Sequence, residues 1–300
     1  MIAKKGPIVK GENLLELVKF EVGSNLFGIN VMKVREVIEP VPITNIPHSH
    51  PYVEGMVTVR GEVLPVISLF SVYGLEPANQ LDEKFMIAEM NQKKLVFRCD
   101  AVYQIHRVSW KQIDGPEAIN HGFESYITGM FELDDKLVFL PDFEKIVCDI
   151  EADNGYNAYQ VHERGNRKIR VDKRLIVVED SPFLRNMLET ELTNAGYHTI
   201  QCFKDGEEAY RHMMSFISEG SMLHEYVDLV ITDIEMPKLD GFHLTNQLKE
   251  DPRCANVPVV IFSSLITEEM KYRGQKVGAD EQISKPEINL LIDKVDTLLM

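Results

Sequence analysis

Between Arg174 and Met300 five short runs rich in apolar residues alternate with amphipathic stretches: Leu175-Ile176-Val177-Val178, Thr199-Ile200-Gln201-Cys202-Phe203, Leu229-Val230-Ile231, Val259-Val260-Ile261-Phe262 and a shorter one near Gln282-Ile283. Such runs read as strands, and the amphipathic stretches between them as helices. Strand and helix in strict alternation give a parallel sheet with helices on both faces. This half is therefore expected to be a doubly wound α/β domain of five parallel strands. Its site should lie at the carboxyl ends of the strands, near the point where the strand order reverses.

Charged and hydroxyl residues gather at those ends. Glu179-Asp180 close the first run, Asp233 the third and Ser263-Ser264 the fourth, while Lys285-Pro286 follows the fifth. On one sheet edge, residues more than a hundred positions apart meet. Two unit charges ~4 Å apart interact by about 4 kcal/mol at an effective dielectric of ~20, so three crowded carboxylates require cations. An all-oxygen donor set suits Mg²⁺, which keeps waters and bridges to phosphate, and Lys285 supplies a second positive charge. A phosphoryl group on Asp233 would then have its equatorial oxygens neutralised, with the Asp233 carboxylate as nucleophile and Ser263 as a hydroxyl donor to the new phosphate. Taken singly, Asp180 reads as a helix cap before Ser181-Pro182, whereas Glu179 still reads as a pocket residue ahead of a solvated surface charge. Their joint placement points to a phosphorylation pocket.

The other half reads differently. From Leu15 to about Ile150 the apolar residues alternate or cluster over short spans between turn signals, which predicts an all-β domain. Gly23-Ser24-Asn25 and Arg60-Gly61-Glu62 have hairpin-turn chemistry. The arms around Arg60, Gly55–Val59 and Val63–Ile67, resemble Gly129–Leu133 and Leu137–Leu140, a pattern that points to two related sub-barrels. Between Glu151 and Lys173 the chain turns polar and poor in aliphatics, which predicts a linker. The 300 residues are thus read as multidomain: 1–150, a linker 151–173, and 174–300. No nucleophile, acid pair or phosphate loop stands out before Gly155, so the first domain is expected to be a binding module. His48 and His50 sit in a proline-flanked loop without cysteine or acid partners and are read as solvated loop residues. Trp110 is read as a packing residue.

Composition narrows the partners. With 32 basic and 47 acidic residues the net charge is −15, which repels nucleic acid and anionic lipid. No apolar run approaches the ~18 residues of a membrane span, and Met1–Lys10 lacks the apolar core of a signal peptide. No helix-turn-helix segment is visible. Cys99, Cys148, Cys202 and Cys254 lack CxxC spacing, which fits a reducing compartment and neither disulfides nor zinc.

Two resemblances follow from these residues. VVEDSPFLRNML, DLVITDIEMPKLDG, VVIFSS and GADEQISKP resemble the response-regulator receiver domain, a CheY-like fold, over roughly Arg174 to Met300. That resemblance implies Asp233 as phosphoacceptor, Mg²⁺ held by Asp180 and Asp233 with Glu179 in the acidic pocket, and the backbone carbonyl of Glu235 as a further ligand. It also implies phosphoryl stabilisation by Ser263 and Lys285. Gln282 stands where the family usually has an aromatic switch residue, and Ser218–Tyr226 is longer than usual. The stretch from Phe27 through Val34-Arg35-Glu36-Val37-Ile38 to Val59-Arg60-Gly61-Glu62-Val63-Leu64-Pro65-Val66-Ile67 resembles the CheW coupling family over about Leu14 to Ile150. That family folds as two SH3-like β-barrels and couples a histidine kinase to chemoreceptor tips. By position Val34, Glu36 and Arg60 fall at its partner contacts, and Ser68 replaces a usual aspartate. A coupling domain fused to a receiver is the CheV-type arrangement, implying a cytoplasmic adaptor at the membrane-associated receptor array, regulated by phosphorylation. The competing readings are a phosphate sink that drains the kinase, and a covalent-aspartate phosphatase whose DxD pattern is broken here by Glu235.

Overall fold

The computed structural model describes residues 14–78, 83–91, 93–115, 126–153, 170–217 and 220–300. Three five-stranded sheets organise them. In the first half β1 (Leu14–Val22), β2 (Asn25–Asn30), β8 (Ala101–Ser109), β9 (Ile127–Leu133) and β10 (Lys136–Pro141) form one sheet in the order β8-β1-β2-β10-β9. The second sheet, β3-β6-β7-β5-β4, comprises β3 (Val34–Ile38), β4 (Val53–Val59), β5 (Glu62–Ser68), β6 (Lys84–Met90) and β7 (Lys93–Cys99). The two hairpins that looked alike in sequence take the same place in their sheets. The β4–β5 hairpin runs β5 parallel to β7, and the β9–β10 hairpin runs β10 parallel to β2. Both turns carry two residues at positive φ, Arg60-Gly61 and Asp134-Asp135, as tight two-residue hairpin turns require.

Between the two sheets lies the largest apolar core of this half, including Phe20, Phe27, Met86 and Phe97. Two smaller clusters belong to one sheet each: Leu15, Leu17, Val108 and Trp110 in the first, Val57, Leu64, Val66 and Ile87 in the second. Trp110 is a packing residue there. Ser68 ends β5 and caps the short helix α1 (Leu69–Tyr73), its hydroxyl accepting from the Ser71 amide at 3.3 Å.

A second, longer helix departs further from the all-β reading. Phe143–Asp153 is an eleven-residue helix, α2. Its Phe143, Ile146, Val147 and Ile150 recur at helical spacing and pack on the core between the sheets, a period that the neighbouring strand pattern obscured. The helix runs past Glu151 into the segment read as linker, most of which (154–169) lies outside the described residues.

From Arg174 the strands β11 (Arg174–Val178), β12 (Thr199–Phe203), β13 (Leu229–Thr232), β14 (Val259–Ser263) and β15 (Glu281–Ser284) pair in parallel in the order β12-β11-β13-β14-β15. Strand side chains alternate between faces, so Val260 and Phe262 meet α3 (Pro182–Ala195) and α7 (Ile288–Leu299), while Val259 and Ile261 face α4 (Gly206–Phe216), α5 (Gly241–Glu250) and α6 (Glu268–Lys276). Arg170, read as linker, is buried and donates to both oxygens of Asp296 at 2.8 and 2.5 Å and to the Ala195 carbonyl at 2.5 Å. Of the long segment before β13, Leu223–Glu225 forms a 3-10 turn with Leu223 in the core. All four cysteines are unpaired.

Candidate functional site

Three strand ends of the parallel sheet converge on one buried ammonium. Lys285, just after β15, donates to Glu179 Oε2 at 2.9 Å, beyond β11, and to Asp233 Oδ2 at 3.1 Å, beyond β13. The local sequence builds this convergence. Ser181 accepts from the Leu184 amide and Pro182 opens α3, so Glu179 and Asp180 occupy the bend that leads into the helix. Asp233 stays tied to the neighbouring strand, its amide donating to the Val178 carbonyl at 2.9 Å. Its Oδ1 accepts from the Ile234 amide at 2.6 Å, which leaves Oδ2 on the lysine.

Glu179, Asp180 and Asp233 each offer a carboxylate oxygen within 4.8 Å of the others, the one such group of potential metal ligands among the described residues. Burial pushes the Glu179 carboxyl well above the usual carboxylate range, opposed by Lys285 and reinforced by Asp233 and Asp180. Asp180 is pushed the same way by burial and by Asp233. A site that penalises its own charges in this way favours an added cation, and three oxygen donors fit a hard divalent ion such as Mg²⁺. Ser263 is fully buried, its hydroxyl accepting from the Leu265 amide at 3.3 Å.

The pocket is not made by the parallel-sheet domain alone. Glu144, in the first turn of α2, accepts from Lys285 at 3.1 Å through Oε2 and from the Ser264 hydroxyl at 2.5 Å through Oε1. Lys33, at the end of the 3-10 turn Val31–Lys33, lies 2.7 Å from Glu235 Oε2 and 3.7 Å from Glu144 Oε1. Asn30 donates to the other oxygen of Glu235. Asp142, just before α2, accepts from the Lys145 amide in the first turn of that helix and from the Ser181 hydroxyl at 2.7 Å across the boundary. Burial raises Glu144, but Lys285 and Lys33 outweigh it and hold the carboxyl down at about 2. Burial also lowers Lys33, and Glu235 and Glu144 override it and raise the ammonium. A cavity lined by Leu15, Gly28, Trp110, Phe143, Asp180 and Asp233, among others, lies between the two halves.

Sequence reasoning missed Lys33, Asp142 and Glu144. The i, i+3, i+4, i+7 spacing of α2 behind Asp142 was a usable signal for a capped helix with an acid in its first turn. Nothing around Lys33 marked it. The structure also gives Glu235 a side-chain role, the pairing with Asn30 and Lys33, that the sequence did not suggest.

Of the three residues assigned to partner contacts, Glu36 and Arg60 come together, Arg60 Nη2 to Glu36 Oε2 at 2.7 Å, on an open groove shared with Arg35, Val59, Leu64 and Ile87. Val34 lies apart, half-buried against the core. His50 accepts from the Tyr52 amide through Nδ1. Gln282, at the aromatic-switch position, donates to the Lys271 carbonyl at 2.8 Å.

Comparison with known proteins bears on both halves. Residues 16–151 match the CheW-like domain and residues 175–296 the response regulator receiver domain. The chain is 28% identical to chemotaxis protein CheV3 of Helicobacter pylori, over 95% of this chain and 94% of that one. It is 25% identical to CheV1 of the same organism, over 91% and 89%. A "Probable chemotaxis protein CheW" of Rhizobium etli is 31% identical over 46% of this chain and 90% of its own length. No helix among the described residues is long and apolar enough to cross a membrane.

Proposed function

We propose that this chain, which belongs to the CheV-type chemotaxis coupling proteins, a CheW-like domain followed by a receiver, links the cytoplasmic tips of chemoreceptors to their histidine kinase and is regulated at Asp233. It is a coupling adaptor with a phosphorylatable receiver rather than an enzyme. Residues 1–150 are taken as the coupling domain, 151–173 as the linker and 174–300 as the receiver, and the adaptor works in the cytoplasm at the receptor array. Within the coupling domain Val34, Glu36 and Arg60 carry the partner contacts. Arg60 is the strongest of these, because a planar fork of donors suits bidentate pairing at an interface.

The observation that carries the regulatory half is Lys285 held between Glu179 and Asp233 at the carboxyl edge of the sheet. Receiver domains bind Mg²⁺ at such an acidic site, and here Glu179, Asp180, Asp233 and the Glu235 carbonyl would hold it. The ion supplies charge neutralisation for the transferring phosphoryl oxygens. Asp233 Oδ2 attacks phosphorus, the bond from phosphorus to the donor breaks, and its electron pair leaves with the donor. Lys285 neutralises the resulting acyl phosphate and the Ser263 hydroxyl donates to it. Two coupling-domain side chains reach this pocket, Glu144 and Lys33, which supports regulation of coupling over a simple phosphate drain.

The test is intact-mass measurement of the whole chain after incubation with Mg²⁺ and acetyl phosphate, under conditions that preserve acyl phosphates. Wild type should gain one phosphoryl group and Asp233→Asn none. Equal labelling of both would move the phosphoacceptor elsewhere. In a reconstituted array, kinase control should differ between phosphorylated wild type and Asp233→Asn, and identical control would remove the regulatory role.

A further inference from the structure

We infer that the Glu144 carboxylate is a built-in occupant of the phosphoryl site, so that docking of the coupling domain on the receiver and phosphorylation of Asp233 exclude one another. The inference deepens the proposed function and rests on Asp233 as phosphoacceptor.

The chemistry of the contact carries it. Glu144 and Asp233 accept from the same nitrogen, Lys285 Nζ, each at 3.1 Å, and Glu144 also takes the hydroxyl of Ser264 beyond β14 at 2.5 Å. This anion takes the lysine that an acyl phosphate on Asp233 would need, and the hydroxyl of Ser264, next to Ser263, holds it there. The fit is specific to this side chain: Glu144 is buried, and Asp142 bonded to Ser181 fixes the start of its helix against the start of α3. Lys33 completes the seal by pairing with Glu235, two residues beyond the acceptor. The occupant of this receiver surface is therefore the start of α2 of the chain's own coupling domain.

A phosphoryl group adds about −1.5 to −2 charges. Placed on Asp233, it meets a buried carboxylate that already shares its lysine, and one of the two anions must leave. The covalently attached one cannot. Docking free energy and phosphorylation free energy are then linked, and whatever factor phosphorylation takes from docking, docking takes from phosphorylation. Lys33 immediately precedes Val34, so undocking also frees the backbone that leads into the edge strand β3, where Val34 and Glu36 lie.

The experiment uses the whole chain with two readouts: the initial rate of labelling by acetyl phosphate with Mg²⁺, and amide hydrogen exchange across Phe143–Asp153. Glu144→Gln keeps the shape and removes the charge; Ser264→Ala and Lys33→Ala weaken the same contact from either side and guard against a folding defect in any one variant. Glu144→Gln should label at least tenfold faster than wild type and exchange faster in α2. Beryllofluoride, a phosphoryl analogue, should raise α2 exchange in wild type to the level of that variant. Labelling and exchange within twofold of wild type for all three variants would overturn the exclusion while leaving Asp233 as phosphoacceptor. Rapid exchange in the variants with no labelling of any chain would instead overturn the phosphoacceptor reading, and the exclusion with it.

Discussion

Gly241 opens α5 directly beneath the phosphoacceptor, and a single methyl there should disable the receiver. A Cβ built on Gly241 lies 1.9 Å from the Asp233 carbonyl oxygen, 2.9 Å from its carbon and 3.2 Å from Ile234 Cα. Ordinary contact begins about 1.5 Å farther out than the first of these. All three obstacles are backbone, and that backbone is fixed from both sides: the Asp233 amide donates to Val178 in β11, and the Gly241 amide donates to the Ile234 carbonyl. Gly241→Ala must therefore move the helix start or the acceptor turn by more than ~1 Å. Overpacking costs ~1–3 kcal/mol where side chains can give way, so ~3 kcal/mol is expected where only backbone can. For a domain of this size that lowers the receiver transition by roughly 10 °C. A misplacement of ~1 Å at a reacting atom costs ~100-fold in rate, so labelling of Asp233 should fall by about that factor. Gly274→Ala provides the control: the three atoms nearest its Cβ would all belong to the side chain of Gln282, at 2.2–2.5 Å. Truncating that side chain, in Gly274→Ala/Gln282→Ala, should restore much of the lost stability, whereas no second-site truncation should rescue Gly241→Ala. Calorimetry of the whole chain and intact-mass kinetics give both readouts. A Gly241→Ala protein within ~1 kcal/mol of wild type and labelled at the wild-type rate would refute the reasoning.

Arg170→Ala should destabilise the receiver by about 3–5 kcal/mol, read by urea denaturation, because it strips a buried fork from Asp296 and leaves that carboxylate with the Tyr197 hydroxyl. The hydrogen bond to Asp240 raises the His243 imidazole above its ordinary value against a smaller loss from burial. The resulting stabilisation is full below about pH 6.5 and is lost as the pH rises through the raised value. An NMR titration of His243 should return toward about 6.5 in Asp240→Asn. Arg60→Ala should weaken pull-down of kinase or receptor tips while shifting stability by less than about 0.5 kcal/mol, since the pair with Glu36 is exposed. Unchanged pull-down would remove Arg60 from the interface.

The receiver's fold was legible because its signals are local and repeated. Each aliphatic run is a strand, the first, third and fifth strand ends carry charged residues, and the order 2-1-3-4-5 then places Glu179, Asp233 and Lys285 on one edge. The coupling domain yielded its hairpins through turn chemistry, since Arg60-Gly61 and Gly23-Ser24 do adopt positive φ. What stayed hidden was the meeting of the two halves. Lys33 and Glu144 look like ordinary surface charges in sequence, and only docking makes them partners of Glu235 and Lys285. Periodicity reports which face of an element is apolar and is silent about which charge another domain will cover. The anchoring of Arg170 escaped notice for a related reason: a polar stretch has the composition of a linker, and an arginine within it contributes nothing to an apolar pattern.

The position of Arg170 has a consequence for how sharply such a protein can respond. The chain leaves the coupling domain at the far end of α2 and is pinned again at Arg170, bolted to the last helix by Asp296. The two halves stay covalently joined when they separate, and each remains at a high effective concentration for the other. The balance between open and shut is then a property of each single molecule, indifferent to how many copies a cell makes.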